Sequence, residues 1–86
     1  MKLKESFIVQ NIEDTQYLVA VGENAFSGLV KNNKTAAVIV DLLKTDTTED
    51  AIVDAMFDRF DAPREVIASD VAEVIGKLRS IGAIEE

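Results

Sequence analysis

The spacing of hydrophobic positions changes near residue 32 of this 86-residue chain. Before that point, runs of β-branched and aromatic residues at 7–12 and 16–21 are separated by a short polar connector, which is typical of an antiparallel hairpin. A third run at 26–31 predicts another strand, and Gly28 within it suggests a bulge or the close approach of another backbone. The first third of the chain therefore predicts a small antiparallel sheet.

The following segment has helical periodicity. Either Asn32 or Asn33 can cap a first helix over about 34–43, where apolar residues recur at the i, i+3, i+4, i+7 spacing. We expect Thr47 to cap a second helix, with Asp50 in its first turn near the positive end of the dipole. Two helices are therefore predicted directly after the sheet.

A third helix is predicted from Pro63 to Ser80, closed by Gly82. The order βββααα predicts an α+β, winged-helix-like fold, with a three-stranded antiparallel sheet followed by three helices. We expect residues 1–86 to form a single domain. The apolar stripe of the third helix consists of Ile67, Val71, Val74, Leu78 and Ile81.

The amino-acid composition lacks several of the residue types that catalysis commonly uses. The chain has no cysteine and no histidine, which removes thiol chemistry, disulfides, Cys/His zinc sites and imidazole acid–base catalysis. The acidic pairs Glu13–Asp14, Glu49–Asp50 and Glu85–Glu86 are adjacent in sequence, so their side chains diverge instead of facing one cleft. We therefore expect no enzyme activity, no cofactor and no bound metal.

The charge distribution disfavours anionic partners. The net charge is −7, and residues 41–86 contain twelve acidic and five basic side chains. Such a surface repels nucleic acid and anionic lipid, so neither is an expected partner. The sequence has no long apolar run that would serve as a signal peptide or membrane span, which predicts a cytoplasmic protein. Met1 suggests a free-standing subunit.

Three non-enzymatic functions fit a small acidic domain. An acyl or peptidyl carrier needs a serine at the start of a helix, whereas Ser69 is predicted in mid-helix. A winged-helix nucleic-acid-binding regulator needs a basic recognition helix, but the basic residues Arg64, Lys77 and Arg79 of the third helix are balanced by acidic ones. A protein–protein adaptor remains as the third possibility.

Peptide capture is a specific form of that adaptor function. No later strand is predicted to cover the outer edge of the third strand, and a free edge can accept an extended peptide as an added strand. One flank of the third helix would form the groove wall; alternatively, that flank covers the first helix. The candidate peptide-binding residues are Phe26, Ser27, Gly28, Leu29, Val30 and Lys31 on the strand, and Arg64, Ala68, Val71, Ala72, Ile75 and Arg79 on the helix.

Several short segments, in this order and spacing, resemble a known family. They are the junction at 29–36, the pair Leu42–Leu43 before residues 47–50, and the final run with Asp70–Val71, Leu78 and Gly82–Ala83–Ile84. Together they are similar to the PqqD-type domains of pathways that modify ribosomally made peptides. The chain departs from that pattern at Asn32–Asn33, where the family usually has Leu-Asn, and at Asp46, where glycine is common.

This resemblance implies a non-catalytic peptide chaperone. Such a domain binds the leader segment of a precursor peptide and presents it to a modifying enzyme, such as a radical S-adenosylmethionine (radical SAM) maturase, a leader protease or a cyclase. The resemblance also implies that the leader adds to the third strand and packs against the third helix, which here means residues 26–31 and 64–79.

Overall fold

The structure, a computed structural model, describes residues 1–21 and 29–86, with Leu29 described by its backbone alone. It confirms an α+β fold in which a three-stranded antiparallel sheet is followed by three helices. The elements are β1 (Lys2–Leu3), β2 (Phe7–Ile12), β3 (Thr15–Ala20), β4 (Leu29–Asn32), α1 (Lys34–Leu42), α2 (Glu49–Arg59), α3 (Arg64–Ser80) and β5 (Ile84–Glu85).

The main sheet has the strand order β2-β3-β4, with both pairs antiparallel. A tight connection at Glu13–Asp14 joins β2 to β3, and Glu13 adopts φ 57°, the left-handed conformation that tight hairpins require. The predicted third strand at 26–31 corresponds to β4, which begins at Leu29 and extends through Asn32. Residues 26–28 of that prediction lie outside the described residues.

A second, two-stranded sheet was not predicted from the sequence. β1 pairs antiparallel with β5, so the end of the chain lies beside its beginning and not beside β4. The amide of Lys4 donates to the carbonyl of Ala83 at 2.8 Å, which continues this pairing. The amino group of Met1 donates to Oδ1 of Asp46 at 2.8 Å, and this hydrogen bond together with its positive charge holds the pKa of Asp46 below its ordinary value.

Side-chain caps define where the first two helices begin. Asn33, one of the two predicted candidates, accepts a hydrogen bond from the amide of Ala36 at 2.8 Å and caps α1. Thr48 caps α2, because its hydroxyl accepts from the amide of Ala51 at 3.1 Å. The prediction that Thr47 performs this role was wrong by one residue.

The third helix begins at Arg64, directly after Pro63, and ends before Gly82, as its sequence predicts. Gly82 adopts φ 76°, a conformation that a residue with a Cβ enters only at a cost. Gly76, inside the helix, has open space where a Cβ would lie, so close packing does not explain this glycine.

One hydrophobic core joins the sheet to the helices. Leu18 of β3 contributes from the sheet, and all three helices contribute fully buried side chains. This core holds β4 and α3 on neighbouring sides of one compact body, which defines the surface between them. The fully buried large side chains are Leu18, Ile39, Val40, Leu43, Ile52, Met56, Val71 and Ile75, with Met56 2% exposed and the others 1% or less.

Candidate functional site

The outer edge of β4 has no strand partner in the described part of the chain. β4 pairs with β3 on one side, with Val30 opposite Leu18 and Lys31 opposite Tyr17. The chain's own tail does not cover the other side, because β5 pairs with β1. An edge of this kind presents backbone N–H and C=O groups that an extended chain can pair with.

A groove runs between this edge and α3. We call it the strand groove; its volume is about 130 Å³. Apolar side chains come from both walls, since Val30 on the strand and Val74 on the helix are half-buried there, while the buried Leu78 lies at the base of the groove and polar groups border it. A surface of this composition suits an extended peptide whose backbone pairs with β4 and whose apolar side chains contact the helix. The lining residues are Val30, Lys31, Asn32, Asn33, Ala36, Val74, Lys77 and Leu78.

The register of the sheet separates the two faces of the edge. Val30 pairs with the buried Leu18 and so lies on the face that covers the core, whereas Lys31 pairs with Tyr17 on the outer face. Successive side chains of an added strand alternate between these faces in the same way. Its inward side chains would therefore meet the apolar wall, and its outward ones would lie beside Lys31.

A buried polar chain fixes the end of β4. Nδ2 of Asn32 donates to Oε1 of Gln16 at 2.7 Å, and Nε2 of Gln16 donates to Oδ1 of Asp41 on α1 at 3.2 Å. Asn32 is 9% exposed and Gln16 is 6% exposed, so water competes little for the hydrogen bond between them, whereas Asp41 is exposed. The three side chains tie β4 to β3 and to the helix that follows, and so hold one wall of the groove in place.

The sheet has a second edge, along β2, with a different environment. β2 pairs only with β3 among the described residues, and a depression of about 290 Å³ lies beside its first half. Lys4, Glu5 and Lys44 line that depression together with apolar residues of the amino-terminal segment, and no part of α3 borders it. The β4 edge is therefore the one that combines free backbone groups with an apolar helix wall.

The structure corrects the predicted helix wall. The side chains of Val71 and Ile75 are fully buried, each 0% exposed, so they support α3 from within the core and offer no surface to a ligand. At about 100° per residue, Ala72 and Val74 lie about 160° apart around the helix. Since Val74 lines the strand groove, the exposed Ala72 lies on the far side of α3.

The two arginines of the prediction also lie away from the groove. Arg64 pairs with Asp54 of α2 and stacks over the ring of Phe57 at 5.8 Å from its centroid. Arg79 donates to Glu86 at 2.8 Å. Ala68, on the same flank, packs against the core cluster. This flank thus faces α2 and the carboxyl terminus.

On the strand, the predicted residues divide into three groups. Phe26, Ser27 and Gly28 lie outside the described residues, and Leu29 contributes its backbone to the first position of β4. Val30 and Lys31 line the strand groove. The sequence analysis assigned Val74 and Leu78 to the apolar stripe of the third helix and did not include Lys77 in the site. That stripe was the sequence feature that could have indicated the α3 wall of the strand groove.

Charged side chains of both signs lie on α3 beside the groove. Lys77 pairs with Glu73 at 3.3 Å, and Asp70 lies one helical turn further toward the start of α3. Within residues 1–21 and 29–86, no group of three or more acidic side chains is arranged to hold a metal ion. None of the described helices has the length and apolar content needed to cross a membrane.

Comparisons with known proteins give a family from the sequence and a shared fold from the structure. The family model described as "Coenzyme PQQ synthesis protein D (PqqD)" matches residues 8–84. A solved structure described as "TbiB1 in Complex with the TbiA(beta) Leader Peptide" superimposes with a TM-score of 0.79, covering 99% of this chain and 100% of that one at 18% identity. No curated protein sequence matches the chain. The structural likeness, at that identity, establishes a shared fold.

Proposed function

The chain belongs to the PqqD family, and from this premise we propose that it binds the leader segment of a ribosomally made precursor peptide and presents it to a modifying enzyme. The leader adds to the free edge of β4 as a fourth strand, and its inward side chains pack on α3. The observation that carries this proposal is the strand groove, where an edge of β4 that pairs with no other described strand lies beside the apolar side chains of Val30, Val74 and Leu78.

The energetics of this groove suit reversible capture. Backbone hydrogen bonds to β4 set the register, while each apolar side chain that becomes fully buried contributes about 1.5–3 kcal/mol. Ordering a flexible leader costs about 2–5 kcal/mol, which offsets much of that gain. We therefore expect roughly micromolar or tighter binding, about −8 kcal/mol.

The structural neighbour supports this assignment of the ligand. TbiB1 has the same fold over its whole length and is described in complex with a leader peptide. In residues 1–21 and 29–86 of the present chain, no strand pairs with the outer edge of β4 and a helix wall lies beside it, which supports strand addition at this edge. Residues 1–86 then act as one recognition domain.

Catalysis belongs to the partner enzyme. We infer a radical SAM maturase, a leader protease or a cyclase, acting in the cytoplasm on the tethered precursor. The domain raises the effective concentration of that substrate. A candidate docking face is α2, where Asp50, Asp54 and Asp58 are exposed, Glu49 is half-buried and Arg59 is the single basic residue.

A library selection followed by backbone methylation tests the proposed function. Random peptides displayed on phage are selected on the intact chain, and a selected peptide is resynthesised with single N-methyl groups at successive positions. Strand addition predicts a loss of affinity at every second position of one segment, because alternate N–H groups of an added strand face β4. A loss without this alternation, or no selected peptide, would refute the proposal.

Nucleic-acid binding is the competing function, and a separate experiment tests it. Each of the basic side chains Arg64, Lys77 and Arg79 on α3 pairs with a carboxylate, so the helix offers phosphates no unpaired cation from these three positions. A salt titration against mixed duplex DNA provides the check. We expect no steeply salt-dependent binding; such binding would favour a regulator.

A further inference from the structure

The strand groove continues beyond the end of β4. A neighbouring depression of about 180 Å³ shares Asn33, Val74 and Lys77 with it and extends along α3 to Asp70. That depression in turn shares Thr35 and Asp70 with a third cavity. Through these shared residues the three spaces adjoin one another in a row along α3, and we call this row the channel.

The third cavity, which we call the helix pocket, lies where the three helices meet. Its volume is about 110 Å³. Met56 and Ile67 form buried walls, Phe60 and Ala62 are half-buried beside them, and Thr35 and Asp70 form the polar part of the lining. The small side chain of Ala62, in the short connection between α2 and α3, leaves room for one apolar group.

The distance between the two ends of the channel corresponds to a short stretch of peptide. The channel follows α3 from Leu78 in the strand groove to Ile67 in the helix pocket. Eleven helical steps span about 16 Å at about 1.5 Å each, and an extended chain covers that length in about five residues at about 3.3 Å each.

We propose that the helix pocket takes a second apolar side chain of the bound peptide, about five residues from the side chain that contacts Val30 and Leu78. The inference rests on the proposed function, because the same peptide occupies the strand groove. The intervening residues pass Asp70 and Glu73, whose carboxylates disfavour an acidic side chain there. The ligand class is thus a peptide with two apolar anchors about five residues apart and no acidic residue at its middle positions.

A matched pair of protein variants tests the pocket. Ala62→Phe fills it, whereas Ala72→Phe adds the same group on the exposed far side of α3. We expect Ala62→Phe to lower the affinity for a library-selected peptide about 10- to 100-fold, because one apolar anchor can no longer be buried. Ala72→Phe should change that affinity less than about twofold. Thermal unfolding of both variants verifies that they fold.

Alanine substitution along the selected peptide tests the same contact without altering the protein. We expect alanine substitution to weaken binding at two apolar positions of the peptide, about five residues apart. One of them lies outside the segment that is sensitive to N-methylation. With the Ala62→Phe protein, alanine at that position should no longer change the affinity, whereas alanine at the other position should still weaken binding. A single sensitive cluster, or equal affinity for Ala62→Phe and the parent chain, overturns the helix pocket while strand addition stands. Failure to select any peptide, or the absence of an alternating N-methyl pattern, removes the proposed function itself.

Discussion

Replacing Val74 by aspartate distinguishes the two flanks of α3 as the wall of the peptide groove. Val74 lines the strand groove and is half-buried in the free chain. The matched control is Ala72→Asp, which makes the same change in charge two residues away on the far side of the helix. Any general effect of added negative charge on binding is therefore common to both variants.

The expected loss follows from the surroundings of Val74. Full burial of a valine side chain contributes about 1.5–3 kcal/mol of free energy. Because Val74 is already half-buried in the free chain, the peptide adds only the remaining part of that burial, about 1 kcal/mol. A carboxylate covered by the peptide without a partner costs a further 1–3 kcal/mol, roughly. The sum of about 2–4 kcal/mol corresponds to a dissociation constant about 30- to 1000-fold higher.

Isothermal titration calorimetry with a selected peptide measures this difference, and urea unfolding of each variant shows that both remain folded. Val74→Asp should lose most of its affinity while Ala72→Asp stays close to the parent chain. The opposite result would place the peptide on the flank that contains Arg64 and Arg79. Equal affinities in both variants would mean that neither flank forms the wall.

Three further predictions concern stability and are measured by urea or thermal unfolding. Gly76→Ala should stabilise the chain by about 0.5–1 kcal/mol, because a Cβ there meets open space in a helix interior. Gly82→Ala should destabilise it by about 1–2 kcal/mol, because that residue has φ 76°. A lower stability of Gly76→Ala would contradict the first of these. Thr48→Ala should cost about 1 kcal/mol through the lost cap and Thr47→Ala less, and the reverse order would assign the cap to Thr47. Asn32→Leu should cost about 1–3 kcal/mol by leaving a buried amide oxygen without its donor, and an unchanged stability would show that the polar chain is not needed to hold β4.

The parts of the fold that depend on neighbours in sequence were predictable. The hairpin of β2 and β3 follows from alternation on either side of Glu13–Asp14, and the helices follow from periodicity and capping residues. The one-residue error at α2 arose because Thr47 and Thr48 are both good caps. Which of them caps the helix depends on how the buried face of α2 meets the core, which local sequence does not specify.

Features that depend on distant contacts were not predictable. β1 and β5 have two residues each, too few for a periodic pattern, and they exist because the two ends of the chain pair. The sequence predicted a peptide groove beside α3 with Ile75 on its wall, whereas the structure buries Ile75 fully and leaves Val74 half-buried in the lining of the strand groove. Which of them is buried depends on how α1 and α2 pack against α3, which local sequence does not specify.

Amide hydrogen exchange, followed residue by residue by NMR with and without a selected peptide, tests strand addition most directly. Strand addition predicts slower exchange for those amides of Leu29–Asn32 that face away from β3, while the outer amides of Phe7–Ile12 on the opposite edge keep their rates. Protection along β2, or bound peptide without protection along β4, would contradict it.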